Sequence, residues 1–325
     1  MILKKYKIKA LAGDASSRKF FRKFYYDKKS KVIVVSKKEK FKNLILYAAI
    51  NNFLIKNKIL APKLYKLDLR EGFMEISDFG DKNFHKVIKK KKSRIFFYKK
   101  IIDLLIKIQK IKPTVKIRTS INRNYKFKKY SLKILHSESD LFFNWYLKEV
   151  IGKKRANYVK KILKPKLNAI YKKLNFKNNI FVHRDFHVSN LMCINNKIGV
   201  LDSQDAIIGN PSYDLVSLID DVRIVTSSKI KNQIYDYYIQ KSSLINKLNK
   251  INFLEDFYIL SIQRNLKIIG IFSRLFLRDK KKQYLKLIPY CWKLIEHRYK
   301  HKSFEEIKLI LDKYIPKKIR KLKSI

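Results

Sequence analysis

The chain has 325 residues, 46% of them hydrophobic and 13% aromatic, with a formal net charge of +51 at pH 7. That composition excludes a disordered chain, and no run approaches the ~18 apolar residues of a membrane span. Cys193 and Cys291 stand alone, which excludes a paired-cysteine metal or redox motif and fits a reducing compartment, and the seven glycines include no glycine-rich phosphate loop.

The length suits one large domain or two intimate lobes. The first residues, Met1 to Lys7, carry charge without an apolar stretch behind them, so a cytoplasmic, monomeric protein is expected. Arginine supplies only 14 of the 77 basic residues, and lysine is spread through nearly every segment. A charge distributed in this way reads as a solvated surface, so neither a specific nucleic-acid partner nor a membrane is expected. The tail Lys317 to Lys323 reads as a frayed, solvated terminus.

In chain order, Val32-Ile33-Val34-Val35 predicts a buried strand, and the apolar spacing from Phe41 to Ile55 predicts a helix. Lys63 to Leu67 and Gly72 to Ser77 predict two more strands around a turn at Asp68 to Glu71. The segment from Lys112 to Tyr130 is polar and weakly periodic and reads as an extended loop, a place where substrate selectivity could reside. Helical spacing dominates near 93–112, 136–150, 155–174, 213–245, 252–276 and 283–297. A strand-rich island at Ile180 to Val182, Leu191 to Ile194 and Ile198 to Leu201 interrupts it. The expected fold is therefore α+β, bilobal and protein-kinase-like. A small β-rich N-lobe (1–80) precedes a larger, mainly helical C-lobe (81–325).

The chemistry concentrates in His183-Arg184-Asp185-Phe186-His187-Val188-Ser189-Asn190 and in Val200-Leu201-Asp202-Ser203-Gln204-Asp205. Phosphoryl transfer needs an oxygen base on the acceptor hydroxyl and oxygen ligands for a magnesium ion that bridges the nucleotide phosphates. Asp185 stands where an HRDxxxxN loop places its base, Asn190 where that loop places one metal ligand, and Asp202 opens the strand-to-loop turn that delivers the other. His183 and His187 flank them in supporting positions. The required cofactors are ATP and Mg²⁺.

These residues, with Asn210-Pro211-Ser212-Tyr213-Asp214-Leu215, resemble the aminoglycoside phosphotransferase superfamily, which includes choline, homoserine and sugar kinases. Three further stretches carry a narrower resemblance: Ala12 to Arg22, Gln204-Asp205-Ala206, and Gln263 to Phe272. They are similar to the bacterial cell-wall sugar kinases that phosphorylate the anomeric hydroxyl of N-acetylmuramate and N-acetylglucosamine, over residues 10 to 300. The resemblance implies an amino sugar as partner. It implies that Gly13 to Arg18 turn over ATP, with Ser16, Ser17 and Arg18 near phosphate, that Asp205 lies beside the metal, and that Asp214 braces the catalytic loop. The sequence departs from the pattern in two places. Ser203 replaces the usual aromatic, and no strand-three lysine pairs with a helix glutamate, since Lys37 and Lys38 follow the strand but the helix after them contains no acid.

Two other readings remain at the level of sequence: a kinase of the same superfamily acting on choline, ethanolamine, homoserine or an aminoglycoside, and a basic nucleic-acid-binding protein on an inactive kinase scaffold. Asp78-Phe79-Gly80 spells a kinase metal-binding triplet but precedes the catalytic loop, so it reads as the connector between lobes. His297 and His301, one helical turn apart, read as a solvated face.

Overall fold

The structure, a computed structural model, describes residues 6–11, 18–27, 29–37, 41–90, 94–113, 116–245 and 249–320. Strands β1 (Tyr6–Leu11), β2 (Lys19–Tyr25) and β3 (Ser30–Val35) form a meander. After helix α1 (Phe41–Lys56), the hairpin β4 (Leu64–Asp68) and β5 (Phe73–Ser77) completes a five-stranded sheet in the order β1-β2-β3-β5-β4. The β-branched run of β3 suits a pleated, half-buried surface. Alternation then sets its faces: Val32 and Val34 lie opposite Ile76 and Met74 of β5 and pack with Leu44 and Tyr47 of α1. Val34 and Leu44 are fully buried, worth about 1.5–3 kcal/mol each.

Past the sheet come α2 (Phe84–Lys90), α3 (Arg94–Gln109) and a small hairpin of β6 (Ile117–Arg118) and β7 (Asn124–Tyr125). The hairpin gives the expected extended loop a fixed form, because the Thr119 hydroxyl donates to the Arg123 carbonyl at 2.8 Å across its turn. Next, α4 (Leu132–Leu141) widens into a π-helical stretch at Phe142–Leu147, resumes as α5 (Lys148–Ile151) and is followed by α6 (Lys153–Tyr171). The strand-rich island comprises β8 (Ile180–Val182), β9 (Leu191–Ile194), β10 (Lys197–Val200) and β11 (Ile207–Gly209). Helices α7 (Ser212–Ile219), α8 (Ser228–Lys241), α9 (Lys250–Leu277), α10 (Ile288–Arg298) and α11 (Glu305–Tyr314) complete the chain.

Contacts divide the chain into two compact units. One joins Met1–Lys128 to Ile180–Ile208, and the other joins Lys129–Asn179 to Gly209–Ile325. In the first, the island is stitched to earlier segments by backbone hydrogen bonds, Cys193 N–H to the Lys82 carbonyl and Val200 N–H to the Leu60 carbonyl, both at 2.8 Å.

In the second unit two expectations are corrected. The helix expected over 213–245 is two helices. The chain breaks at Asp220, whose buried carboxylate accepts from Lys231 Nζ at 2.8 Å, Ser261 Oγ at 2.6 Å and Arg298 Nη2 at 3.2 Å. Burial opposes its ionisation, yet Arg298 and Lys231 hold the carboxyl below the usual carboxylate range. Ser227 then caps α8 by accepting from the Ile230 N–H. The expected frayed tail is seated as far as Arg320, which is 4% exposed. Its guanidinium lies over the Trp292 ring, pairs with Glu296 and donates to Asp312 at 2.6 Å. Its carbonyl accepts from the Tyr146 hydroxyl at 2.7 Å.

The crossing of α9 with the end of α4 depends on the missing side chain of Gly270. A Cβ there would stand 2.3 Å from the Leu141 carbonyl carbon and 2.5 Å from the Phe142 nitrogen, at the start of the π-helical stretch. Backbone cannot yield as a side-chain tip can. Gly270→Ala should therefore destabilise the protein by about 1–3 kcal/mol or more, read from urea unfolding. An unchanged midpoint would show that the two helices separate freely at this point.

Candidate active site

The loop that carries Asp185 is built by burial at its start and hydrogen bonds at its end. Strand β8 is buried throughout and delivers His183, itself fully buried, with Nε2 at 2.9 Å from the Leu201 carbonyl. Arg184 then adopts a left-handed conformation, φ 73°, which turns the chain so that Asp185 is half-buried while Phe186 and Val188 sink into the core. The Asp185 carbonyl accepts from the His187 N–H and from Asn190 Nδ2, each at 3.0 Å. His187 Nε2 lies 3.3 Å from the same Asn190 nitrogen. The Leu201 N–H donates to the Asn190 carbonyl at 2.9 Å, which zips the end of the loop to the end of β10 and brings Asp202 alongside.

Asp202 is also left-handed, φ 65° and ψ 39°. Arg184 and Asp202, neither of them glycine, each store about 1–3 kcal/mol in this conformation. The surrounding contacts hold that strain. The Asp202 N–H points at the Tyr47 hydroxyl of α1 at 3.5 Å, and the fully buried Ser203 donates to Asn51 Oδ1 at 2.7 Å. Ser203 thus leaves no void where an aromatic was expected, because α1 fills the place with a polar partner. Burial first, and then the Asp202 charge, pushes the Tyr47 hydroxyl up to about 12, so it stays a neutral phenol.

Arg18, 8% exposed, places Nη2 2.6 Å from Asp202 Oδ1 and Nη1 3.2 Å from Gln204 Oε1. Its guanidinium carbon lies 5.5 Å from the centre of the Phe20 ring and 5.7 Å from that of Tyr47. Asp205 is exposed, and its carbonyl accepts from Arg184 Nη1 at 3.3 Å. Tyr125 of β7 belongs to the same neighbourhood. Burial raises its pKa, the Asp205 charge adds to the rise and Arg184 opposes it. Its ring meets Phe127, which in turn meets Phe181 of β8 and Phe53 of α1.

Of the residues singled out in the sequence, Arg18, His183, Asp185, His187, Asn190, Asp202 and Asp205 come together in the first unit. Asp214 lies in the second, fully buried in the first turn of α7. Gly13, Ser16 and Ser17 lie outside the described residues. Tyr47 and Asn51 escaped the sequence reading; their spacing of four sets both on one face of α1, and both are buried. Asp78 is a buried anchor at the end of β5, accepting from Arg22 Nη2 at 3.1 Å, Ser30 Oγ at 2.7 Å and the Gly80 N–H at 2.8 Å. Among the described residues, no three histidines, cysteines or carboxylates gather as a metal site, so His297 and His301 gain no third ligand.

The oxygen donors fit a hard cation. Both bonds recorded for Asn190 Nδ2 run back into the loop, which turns its Oδ1 the other way, and the Asp202 carboxylate is 37% exposed. Magnesium takes one or two protein oxygens and completes its shell with phosphate and water, so a full protein cage is not required.

The profile of the phosphotransferase enzyme family matches residues 7–240. The chain is 26% identical to an N-acetylmuramate/N-acetylglucosamine kinase of Caulobacter vibrioides over 85% of this chain and 76% of that protein. It is also 26% identical to one of Neisseria meningitidis, over 86% and 81% respectively. Among solved structures, it superposes on the ADP-bound aminoglycoside phosphotransferase APH(2'')-Ib with TM-score 0.61 and 14% identity, covering 93% of this chain and 95% of that one. The choline kinase LicA from Streptococcus pneumoniae gives TM-score 0.58 and 14% identity over the same shares. At such identities the structural likeness bears on the fold, an α+β kinase-like fold as expected.

The geometry separates the two carboxylates that sequence spelling could confuse. The Asp78 side chain is 4% exposed and holds Arg22, so Asp78→Asn should cost about 1–3 kcal/mol of stability in urea unfolding. Asp202→Asn, at a more open carboxylate, should stay within about 1 kcal/mol of the parent. The reverse ranking would remove Asp78 from its anchoring role.

Proposed function

Since the chain belongs to the phosphotransferase enzyme family, we propose that it is an ATP- and Mg²⁺-dependent kinase acting on the anomeric hydroxyl of N-acetylmuramate, N-acetylglucosamine or both. The curated relatives named for those two sugars support the acceptor. The observation that supports the catalytic reading is the backbone bond from Leu201 to Asn190, which joins the end of the loop carrying Asp185 to the turn carrying Asp202. In this reading residues 1–80 cover the nucleotide and 81–325 carry the loop and acceptor. Among the described residues no helix is long and apolar enough to cross a membrane.

Asp185 orients the acceptor hydroxyl and takes its proton as the new oxygen–phosphorus bond forms and the bond from the γ-phosphorus to its bridging oxygen breaks, so that ADP leaves with that oxygen. Asn190 Oδ1 and Asp202 are the protein's oxygens for magnesium, which when bound neutralises the charge on the transferring phosphoryl group. His183 keeps the loop in register through the Leu201 carbonyl, and His187 fixes the orientation of the Asn190 amide. An anomeric hydroxyl is more acidic than an ordinary sugar alcohol, since the ring oxygen withdraws charge from the forming alkoxide. That suits a weak carboxylate base. The product is a sugar 1-phosphate.

Asp185→Asn should lower kcat by about 10²- to 10⁴-fold with little change in nucleotide affinity, measured by coupled ATP consumption. Near-normal turnover would take the base role away from it. The acceptor is tested by offering each free sugar beside its methyl glycoside, in which the anomeric oxygen is blocked, and locating the phosphate by phosphorus NMR. Phosphate on carbon 1 of the free sugar and none on the glycoside is expected. Turnover of the glycoside, a 6-phosphate, or turnover confined to choline or aminoglycosides would sink the acceptor while leaving a kinase.

A further inference from the structure

Kinases of the wider fold meet the nucleotide phosphates with a strand-three lysine held by a helix glutamate. Among the described residues that couple is absent, and Lys38 lies outside them. The cation within β3, Lys31, sits over the Tyr65 ring at 4.4 Å and faces Glu75 at 3.7 Å, while Lys37 beyond the strand is exposed. Helix α1 runs from Phe41 to Lys56 without an acid.

A different cation stands beside the proposed metal ligand. Arg18, just before β2, reaches Asp202 at 2.6 Å, and α1 meets it with the ring of Tyr47 where a carboxylate would be expected. The same Tyr47 hydroxyl faces the Asp202 N–H, so one side chain of α1 supports both partners of the ion pair. A guanidinium suits this arrangement better than an ammonium. It is weakly hydrated, stacks on aromatic faces, and its planar fork matches carboxylate and phosphate alike.

We propose that Arg18, seated on Tyr47, is the cation that meets the nucleotide phosphates beside Asp202, replacing the strand-three lysine and its helix glutamate. This rests on the kinase reading above and deepens it: Arg18 is a phosphate-binding residue and Tyr47 the positioning residue behind it.

The test is calorimetric titration of ATP and of adenosine, with Mg²⁺ present, into the full chain and variants whose melting matches the parent. Arg18→Gln should weaken ATP by about 10- to 100-fold and leave adenosine unchanged, because only the phosphates lose a charged partner. Arg18→Lys should recover part of the loss, which keeps the comparison open if the glutamine variant fails to fold. Tyr47→Leu should weaken ATP in the same direction, and Tyr47→Phe, which keeps the ring face under Arg18 but loses the hydroxyl that faces the Asp202 N–H, should weaken it less than Tyr47→Leu. The double variant Lys37→Gln, Lys38→Gln should stay within about twofold. The proposal is overturned if Arg18→Gln binds ATP like the parent, if it loses adenosine and ATP alike, or if the loss follows the lysine pair. A parent chain that binds no ATP would overturn the kinase reading itself, whereas ATP binding indifferent to Arg18 overturns this proposal alone.

Discussion

A single backbone hydrogen bond, Leu201 N–H to the Asn190 carbonyl, joins the end of the loop that carries Asp185 to the turn that carries Asp202. The catalytic loop and the turn after β10 are both irregular chain, and irregular chain holds a geometry only when its own polar groups are consumed. Here they are. The Asp185 carbonyl takes two donors from its own loop, His183 reaches the Leu201 carbonyl, and Tyr47 and Asn51 of α1 meet Asp202 and Ser203. Consuming these backbone groups holds the loop and the turn in place, and it explains how Arg184 and Asp202 remain left-handed without glycine.

The same economy governs a protein with 77 basic and 26 acidic residues. Carboxylates are scarce, and several work as internal fasteners. In the second unit Glu138 receives Gln263 Nε2 at 2.7 Å, Lys267 Nζ at 2.9 Å and the Tyr130 hydroxyl. Asp256 gathers the Asn175 and Phe176 N–H groups and Asn210 Nδ2, so Asn210 is held from one side while its Oδ1 receives the Ser212 N–H at the start of α7. Two of the family-like phrases in the sequence, around Asn210 and around Gln263, thus encode scaffold: they place donors on buried acids.

What could be read from the sequence was local. Asp185 and Asn190 lie within one loop, Asp202 follows at the end of the next hairpin, and the β-branched run of β3 and the apolar spacing of α1 declare themselves within a few residues. What could not be read depends on partners far along the chain. Arg18 meets Asp202 across 184 positions, and nothing near either residue announces the other. The helix break at Asp220 was hidden because Val222 and Ile224 remain buried through the turn, so the apolar pattern continues while the backbone does not. The tail misled for the opposite reason: a run of lysines looks solvated until one arginine among them finds Trp292 and two acids.

The first unit is discontinuous in sequence, and this bears on the order in which the protein assembles. The chain leaves at Lys128 and returns at Ile180, so the five-stranded sheet and α1 are synthesised long before the loop they are built to hold. Until β9 and β10 arrive, the Lys82 and Leu60 carbonyls lack their strand partners, and Tyr47 and Asn51 present polar groups with nothing to receive. Closing the excursion of about fifty residues costs on the order of 3–4 kcal/mol of chain entropy before any of those bonds forms, unless the excursion has already condensed into helices. A high-contact-order step of this kind comes late and slowly. Catalytic competence should therefore lag behind secondary structure during refolding, with the sheet present well before the carboxylates are in place.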